Sequence, residues 1–264
     1  RKMLAIILFL VAFFASSIGA VVGAGGGVII KPVVDMLGLL PVATVSFCSS
    51  CTVLGMSCFS LIRNRNDGIK LQLRSSTLLA AGAVAGGLIG QALFEFVRNG
   101  FQNEEVLGGI QAVCLTCITF FVFLYVCKKE SIPSKHVTNA AAILAIGASL
   151  GLMSSFLGIG GGPANVAVLF FFFSMDAKEA AKNSLYIIVF SQVSSLISAL
   201  ATHSVPEFQW TQLIAMICGG IGGAMVGAVM SKRMNNQGVE LMFKILLLGI
   251  TGVGVYNILK YTVL

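Results

Sequence analysis

GAGGGVIIKP at residues 23–32 and GIGGGPANVA at residues 158–167 occupy matching places in the two halves of the chain, each cutting a strongly apolar stretch. Gly23, Gly25, Gly26 and Gly27 recur as Gly158, Gly160, Gly161 and Gly162. Glycine in a helix interior is about 1 kcal/mol less favourable than alanine, so clusters this dense end a helix. Helix-breaking glycines at corresponding positions of two halves are the best sequence pointer to a transporter's binding site. The chain is therefore read as a duplicated membrane carrier.

Composition points the same way. Hydrophobic residues make up 57% of the 264 positions and charged residues 10%, with a mean hydropathy of +0.95. A water-soluble fold of this size has nowhere to bury that much apolar surface. A helix needs roughly 20 apolar residues to span a bilayer, and several such runs follow one another here between short polar connections. The whole chain, 1–264, reads as one multi-pass domain of the cell (plasma or inner) membrane. Its net charge of +7 comes from basic residues in short inter-helical loops. That is the distribution membrane topology requires, so the implied partner is the lipid bilayer and not nucleic acid. The seven cysteines lie in apolar segments without histidine or carboxylate at zinc-like spacing, and read as packing residues, with no metal or cofactor implied. Contact with a soft sulfur substrate is their competing reading. Arg1 and Lys2 before residues 4–22 resemble a signal peptide, but a removable leader would not be duplicated in the second half.

The first repeat (about 4–127) predicts limbs at 4–22 and 28–39 around the break, then helices at 41–62, 77–97 and 106–127. After a basic linker at 128–138, the second repeat (about 139–261) predicts limbs at 139–157 and 164–174, then helices at 179–202, 209–230 and 239–261. Gly82, Gly86 and Gly90 recur as Gly219, Gly223 and Gly227, small faces that let helices approach closely and a second sign of duplication. Eleven basic residues mark four loops expected to be cytoplasmic: Arg63, Arg65, Lys70 and Arg74; Lys128, Lys129 and Lys135; Lys178 and Lys182; Lys232 and Arg233. Those loops alternate correctly only if each broken pair is re-entrant, since its short limb of about a dozen residues cannot span the bilayer at roughly 1.5 Å per residue. Each half then crosses three times and the second lies upside down. The expected fold is an all-α integral membrane protein of two inverted-topology repeats, each a broken helix pair followed by three transmembrane helices.

Non-helical backbone survives inside a membrane only where it is buried in protein or lines a wet cavity. The helix restarting after each break presents amides without internal partners at the positive end of its dipole, a seat for an anion. Gly25, Gly26 and Gly27, with Gly160, Gly161 and Gly162, are the candidate donors, and Pro163 suits the first turn of the restarted helix. Simple close packing or a kink is the competing reading. Lys31, one turn on, is an intramembrane cation and hence a functional candidate, unless it snorkels to the interface. Asn165 holds nearly the same place in the second half. Ser46, with Ser49 and Ser50, and Asn183, Ser184 and Gln192, with Ser191, add a polar stripe that either lines a cavity or glues helices together.

At these residues the chain resembles the TauE/SafE sulfite exporter family, whose pattern in each of two repeats is GxGGG, four residues, then proline. The first repeat matches in full from Gly23 to Pro32; in the second, Pro163 follows the glycines directly and the later proline is absent. Lys31 stands where family members usually carry an apolar residue. The resemblance covers nearly the whole chain. It implies a secondary transporter or facilitator that exports a small sulfur-containing anion such as sulfite, sulfoacetate or a related organosulfonate, with a homodimer among its candidate assemblies. An anion channel and a carrier of a sulfur-free carboxylate are the alternatives. An intramembrane enzyme is not expected: His136 and His203, the two histidines, fall in loops, and no catalytic residue is assigned.

Overall fold

The computed structural model describes residues 2–100, 104–159 and 161–263, and every described element is helical. In chain order they are α1 (Lys2–Val22), α2 (Gly27–Leu37), α3 (Val42–Arg63), α4 (Leu73–Gly100), α5 (Glu104–Lys128), a 3-10 turn (Lys129–Ser131), α6 (Ala140–Leu157), α7 (Pro163–Phe173), α8 (Ala177–Ala201), α9 (Trp210–Arg233) and α10 (Asn236–Val263). Among these, 8 are long and apolar enough to cross a membrane. The other two, α2 and α7, have 11 residues each, about 16 Å of helix, and cannot.

Local chemistry sets the helix ends. Asn139 caps α6 by accepting from the amides of Ala141 and Ala142, and Asp176 caps α8 through the Glu179 amide. Pro163 opens α7, where a missing N–H matters least. Helix α4 starts at Leu73, four residues before the expected Thr77, because the Asn183 side chain accepts from both the Gln72 amide and the Ser76 hydroxyl and so caps it from another helix. The Lys260 ammonium donates to the carbonyls of Asp35 and Met36, closing the far end of α2.

The glycine faces set the packing. A Cβ on Gly82, Gly86 or Gly90 of α4 would come within 2.2, 1.8 and 2.4 Å of the carbonyl oxygens of Leu144, Ala148 and Leu152 on α6. On Gly219, Gly223 or Gly227 of α9 it would come within 2.4, 2.1 and 2.6 Å of those of Phe9, Phe13 and Ser17 on α1. Both registers ascend together, so each of these pairs is parallel, and each joins a helix of one half to a helix of the other. Thr251 hydroxyl to Thr119 hydroxyl at 3.1 Å, Gly254 against Thr116 and Gly108 against Tyr261 set α5 and α10 antiparallel.

Contacts to α8 fix the remaining directions. Ser76–Asn183, Ser194–Val84 and Thr202–Glu95 make α8 parallel to α4 and α6, and Lys182 to the Asn64 carbonyl makes it antiparallel to α3. Helices α1, α3 and α9 thus run one way and α4, α6 and α8 the other. The amides of Lys135 and Val137, ahead of α6, donate to the carbonyls of Phe171 and Phe172 at the end of α7. Leu39 and Leu40, beyond α2, pack in one apolar cluster with Leu4 and Leu8 of α1. Each long–short pair therefore returns to the face from which it came, α6–α7 to the face carrying the basic connections and α1–α2 to the base-poor face. Large side chains such as Phe14, Phe96, Phe121, Ile197, Ile245 and Leu248 stay exposed on the outside, as lipid contact requires.

Candidate functional site

Both breaks lie inside the helical bundle, their first glycines beyond the middles of the helices around them. In the first, Gly23 and Gly25 take φ of 73° and 72°; in the second, Gly158, Gly161 and Gly162 take 63°, 115° and 144°, a region side-chain-bearing residues rarely enter. Each break is clamped by the other half. A Cβ on Gly23 would lie 2.2 Å from the Ala181 Cα on α8, and one on Gly158 2.6 Å from the Ser46 side chain on α3. The Ser184 hydroxyl donates to the Gly23 carbonyl at 2.6 Å, satisfying an acceptor that the break frees.

The breaks also touch each other. A Cβ on Gly27 would lie 2.1 Å from the Ile159 carbonyl oxygen and 2.8 Å from the Val53 side chain; one on Gly161 would lie 2.2 Å from Ile188. Val53 and Ile188 are near the middles of α3 and α8, so the chain overshoots the centre at Gly23 and Gly158 and returns to it at the starts of α2 and α7. The positive ends of two short helices thereby converge at mid-depth. Among the described residues the Gly26 amide has only the Met56 thioether sulfur, at 3.3 Å, as acceptor. That is a weak partner, readily exchanged for an oxyanion.

From the base-poor face a narrow cleft, with a free volume of about 30 Å³, descends to Gly158, with Ser46, Ser50, Ser155, Ser195, Gln91 and Arg98 among its walls. The hydroxyls of Ser46 and Ser155 are buried and make no hydrogen bond. A smaller space of about 10 Å³ lies beyond, against Gly161, Gly162, Pro163 and Asn165. On the basic face the two halves are tied together. The Lys182 ammonium donates to the carbonyls of Asn64 and Ile69 at 2.8 and 3.1 Å and to Asp67 at 2.5 Å, tying the α3–α4 connection onto α8.

The candidate residues divide accordingly. Gly25, Gly26, Gly27, Gly161, Gly162, Ser46, Ser184 and Asn165 gather around the crossing or the spaces beside it; Gly160 lies outside the described residues. Gln192 is fully buried and donates to Ser154 at 3.3 Å, while its carbonyl oxygen has no partner. Asn183 is engaged on the basic face, donating to the carbonyls of Lys70 and Glu179 besides capping α4. Lys31 neither snorkels nor lines the cleft: its side chain, 3% exposed, pairs with Asp35 at 3.1 Å.

The sequence reading passed over Arg98, Gln91, Ser155 and Ser16. Gln91 and Arg98 are seven residues apart, two turns on one face of α4, and Ser155 precedes Gly158 by one turn, so helical spacing would have found them. Ser16 signals itself only in three dimensions: its unpartnered hydroxyl would lie 2.6 Å from a Cβ on Gly26. Among the described residues no three histidine, cysteine or acidic side chains cluster as metal ligands, and all seven cysteines are free.

Residues 8–254 match the family described as "Sulfite exporter TauE/SafE". The chain is also similar to the "Probable membrane transporter protein YunE" of Bacillus subtilis (strain 168), with 22% identity over 266 residues, covering 92% of this chain and 94% of that one. No solved structure matches it.

Proposed function

Since the chain belongs to the TauE/SafE sulfite exporter family, we propose that this multi-pass membrane protein carries a small sulfur-containing anion, sulfite or a short organosulfonate, across the cell membrane. The anion binds where the two glycine breaks cross. One observation carries the reading: Gly27 rests on Ile159, and a Cβ on Gly162, just before α7, would lie 3.9 Å from the Val28 side chain of α2, so the amino ends of the two short helices adjoin. Converging backbone dipoles in a low-dielectric interior favour negative charge without a buried cation, so Lys31 can remain committed to Asp35. Glycine lets the backbone itself approach the ligand.

The opposite directions of α1 and α6 support two inverted repeats, and the loops rich in Lys and Arg support a cytoplasmic position for the basic face. With Lys182 tying the α3–α4 connection onto α8 at that face and the opposite face cleft, the arrangement favours a carrier with alternating access over a continuous anion channel. Purified protein in liposomes is expected to move sulfite or sulfoacetate and to reject cations of equal size. Selective cation flux, or single-channel currents, would overturn the reading.

A further inference from the structure

We propose that Arg98 and the serine-lined cleft beneath it form an entry site for oxyanions, separate from the crossing of the breaks and placed before it on the path from the base-poor face. The inference rests on the reading of that crossing as the anion's destination. Three observations carry it. First, Arg98 borders a narrow cleft, with a free volume of about 30 Å³, that ends on Gly158, the apex of the second break. A cation at the mouth of a low-dielectric cleft raises the local concentration of anions and speeds their capture.

Second, the charge of Arg98 is uncommitted. It forms no ion pair with a described residue. The acidic side chain one turn away, Glu95, is held instead by neutral donors: its Oε1 accepts from Gln91 Nε2 at 3.1 Å, from the Thr202 hydroxyl at 3.0 Å and from the Ser204 hydroxyl. Those bonds tie Glu95 to the rim as a brace between α4 and the α8–α9 connection. The guanidinium is left to grip two oxygens of a sulfonate, sulfite or carboxylate in its planar fork.

Third, the floor carries donors without acceptors. The hydroxyls of Ser46 and Ser155 line the cleft, are at least nine-tenths buried and have no hydrogen-bond partner. A buried hydroxyl left unpaired is unfavourable, and an oxyanion passing from Arg98 toward Gly158 supplies what both lack. Ser195, on the facing wall, already donates to Gln91 Oε1 at 3.3 Å, so the mouth is held in shape while the floor stays open to a ligand.

The test uses the full chain carrying Ser50→Cys as a reporter in the cleft wall, with the parent protein correcting for its own thiols. Its rate of modification by an anionic methanethiosulfonate, the sulfonatoethyl reagent, is divided by that for the cationic trimethylammonioethyl reagent. Arg98→Gln is expected to lower this ratio about tenfold, the effect of one partly screened charge at close range, while Arg98→Lys keeps most of it. The concentration of sulfoacetate giving half-maximal flux rises several-fold in Arg98→Gln at nearly unchanged maximal flux. A ratio indifferent to Arg98→Gln, or an equal fall in Arg98→Lys, overturns the entry site. Should the parent protein move no sulfur anion at all, the transport reading fails on its own, and the reagent ratio still decides the role of Arg98.

Discussion

Lys182 holds Asp67 at 2.5 Å across the base of the molecule, joining α8 of one half to the α3–α4 connection of the other. Both side chains are about one-tenth exposed, so the pair is shielded from the salt screening that makes surface ion pairs worth little. Asp67→Asn keeps the shape and removes the charge. Cysteines placed in the α3–α4 connection are expected to become several-fold more reactive toward impermeant reagents applied from the basic face. Unchanged reactivity would mean that the two carbonyl contacts of Lys182 suffice to seal that side.

Gly23 and Gly26 separate folding from binding. Gly23→Ala meets both a φ of 73° and a Cβ 2.2 Å from the Ala181 backbone, and is expected to lower thermal stability markedly. Gly26 has an ordinary φ of −68°, and its Cβ would meet first the Ser16 hydroxyl. Gly26→Ala should therefore fold better than Gly23→Ala while losing most anion binding. Melting curves alongside sulfoacetate binding distinguish the two, and equal destabilisation would assign the glycines to packing alone.

Ser184→Ala removes the donor to the Gly23 carbonyl and leaves a buried acceptor unpaired, at about 1–3 kcal/mol. Unfolding in detergent should shift accordingly, and Ser184→Thr, which retains the hydroxyl, should recover part of the loss.

Lys31 and Asp35 form a buried ion pair, and such pairs respond differently to single and double substitution. Lys31→Met alone strands a buried carboxylate and should destabilise by about 3–5 kcal/mol. Lys31→Met with Asp35→Leu removes both charges and is expected to be milder in thermal denaturation. If the double variant keeps its stability but loses sulfite flux, Lys31 belongs to the transport pathway after all.

Gly86→Leu introduces a side chain where even a Cβ would come within 1.8 Å of the Ala148 carbonyl oxygen. Separation of α4 from α6, read as a marked fall in the melting temperature of the purified protein, is the expected outcome.

The helix boundaries and both breaks were legible in the sequence because their signals are local: apolar runs of spanning length, dense glycine, and a proline at the first position of α7. The role of Lys31 was not. Its partner Asp35 is a mere turn away, but burial of the pair depends on α10, whose Asn257 and Lys260 close over α2 from the far end of the chain. Asn183 read as a cavity residue because polarity in an apolar helix looks alike whether it meets a ligand or a backbone. Only the arrival of residues 70–76 beside it shows which. Arg98 escaped notice for the opposite reason, since a cation near a helix end has solvent as its default company, and the cleft that borders it is made by four separate helices.

The partnership of α1 with α9 and of α6 with α4 bears on how such a chain can be born. During synthesis α1 has its glycine-matched neighbour α9 some 200 residues behind it, so that seam stays open until α9 is inserted. A half-length gene product would face that vacancy permanently.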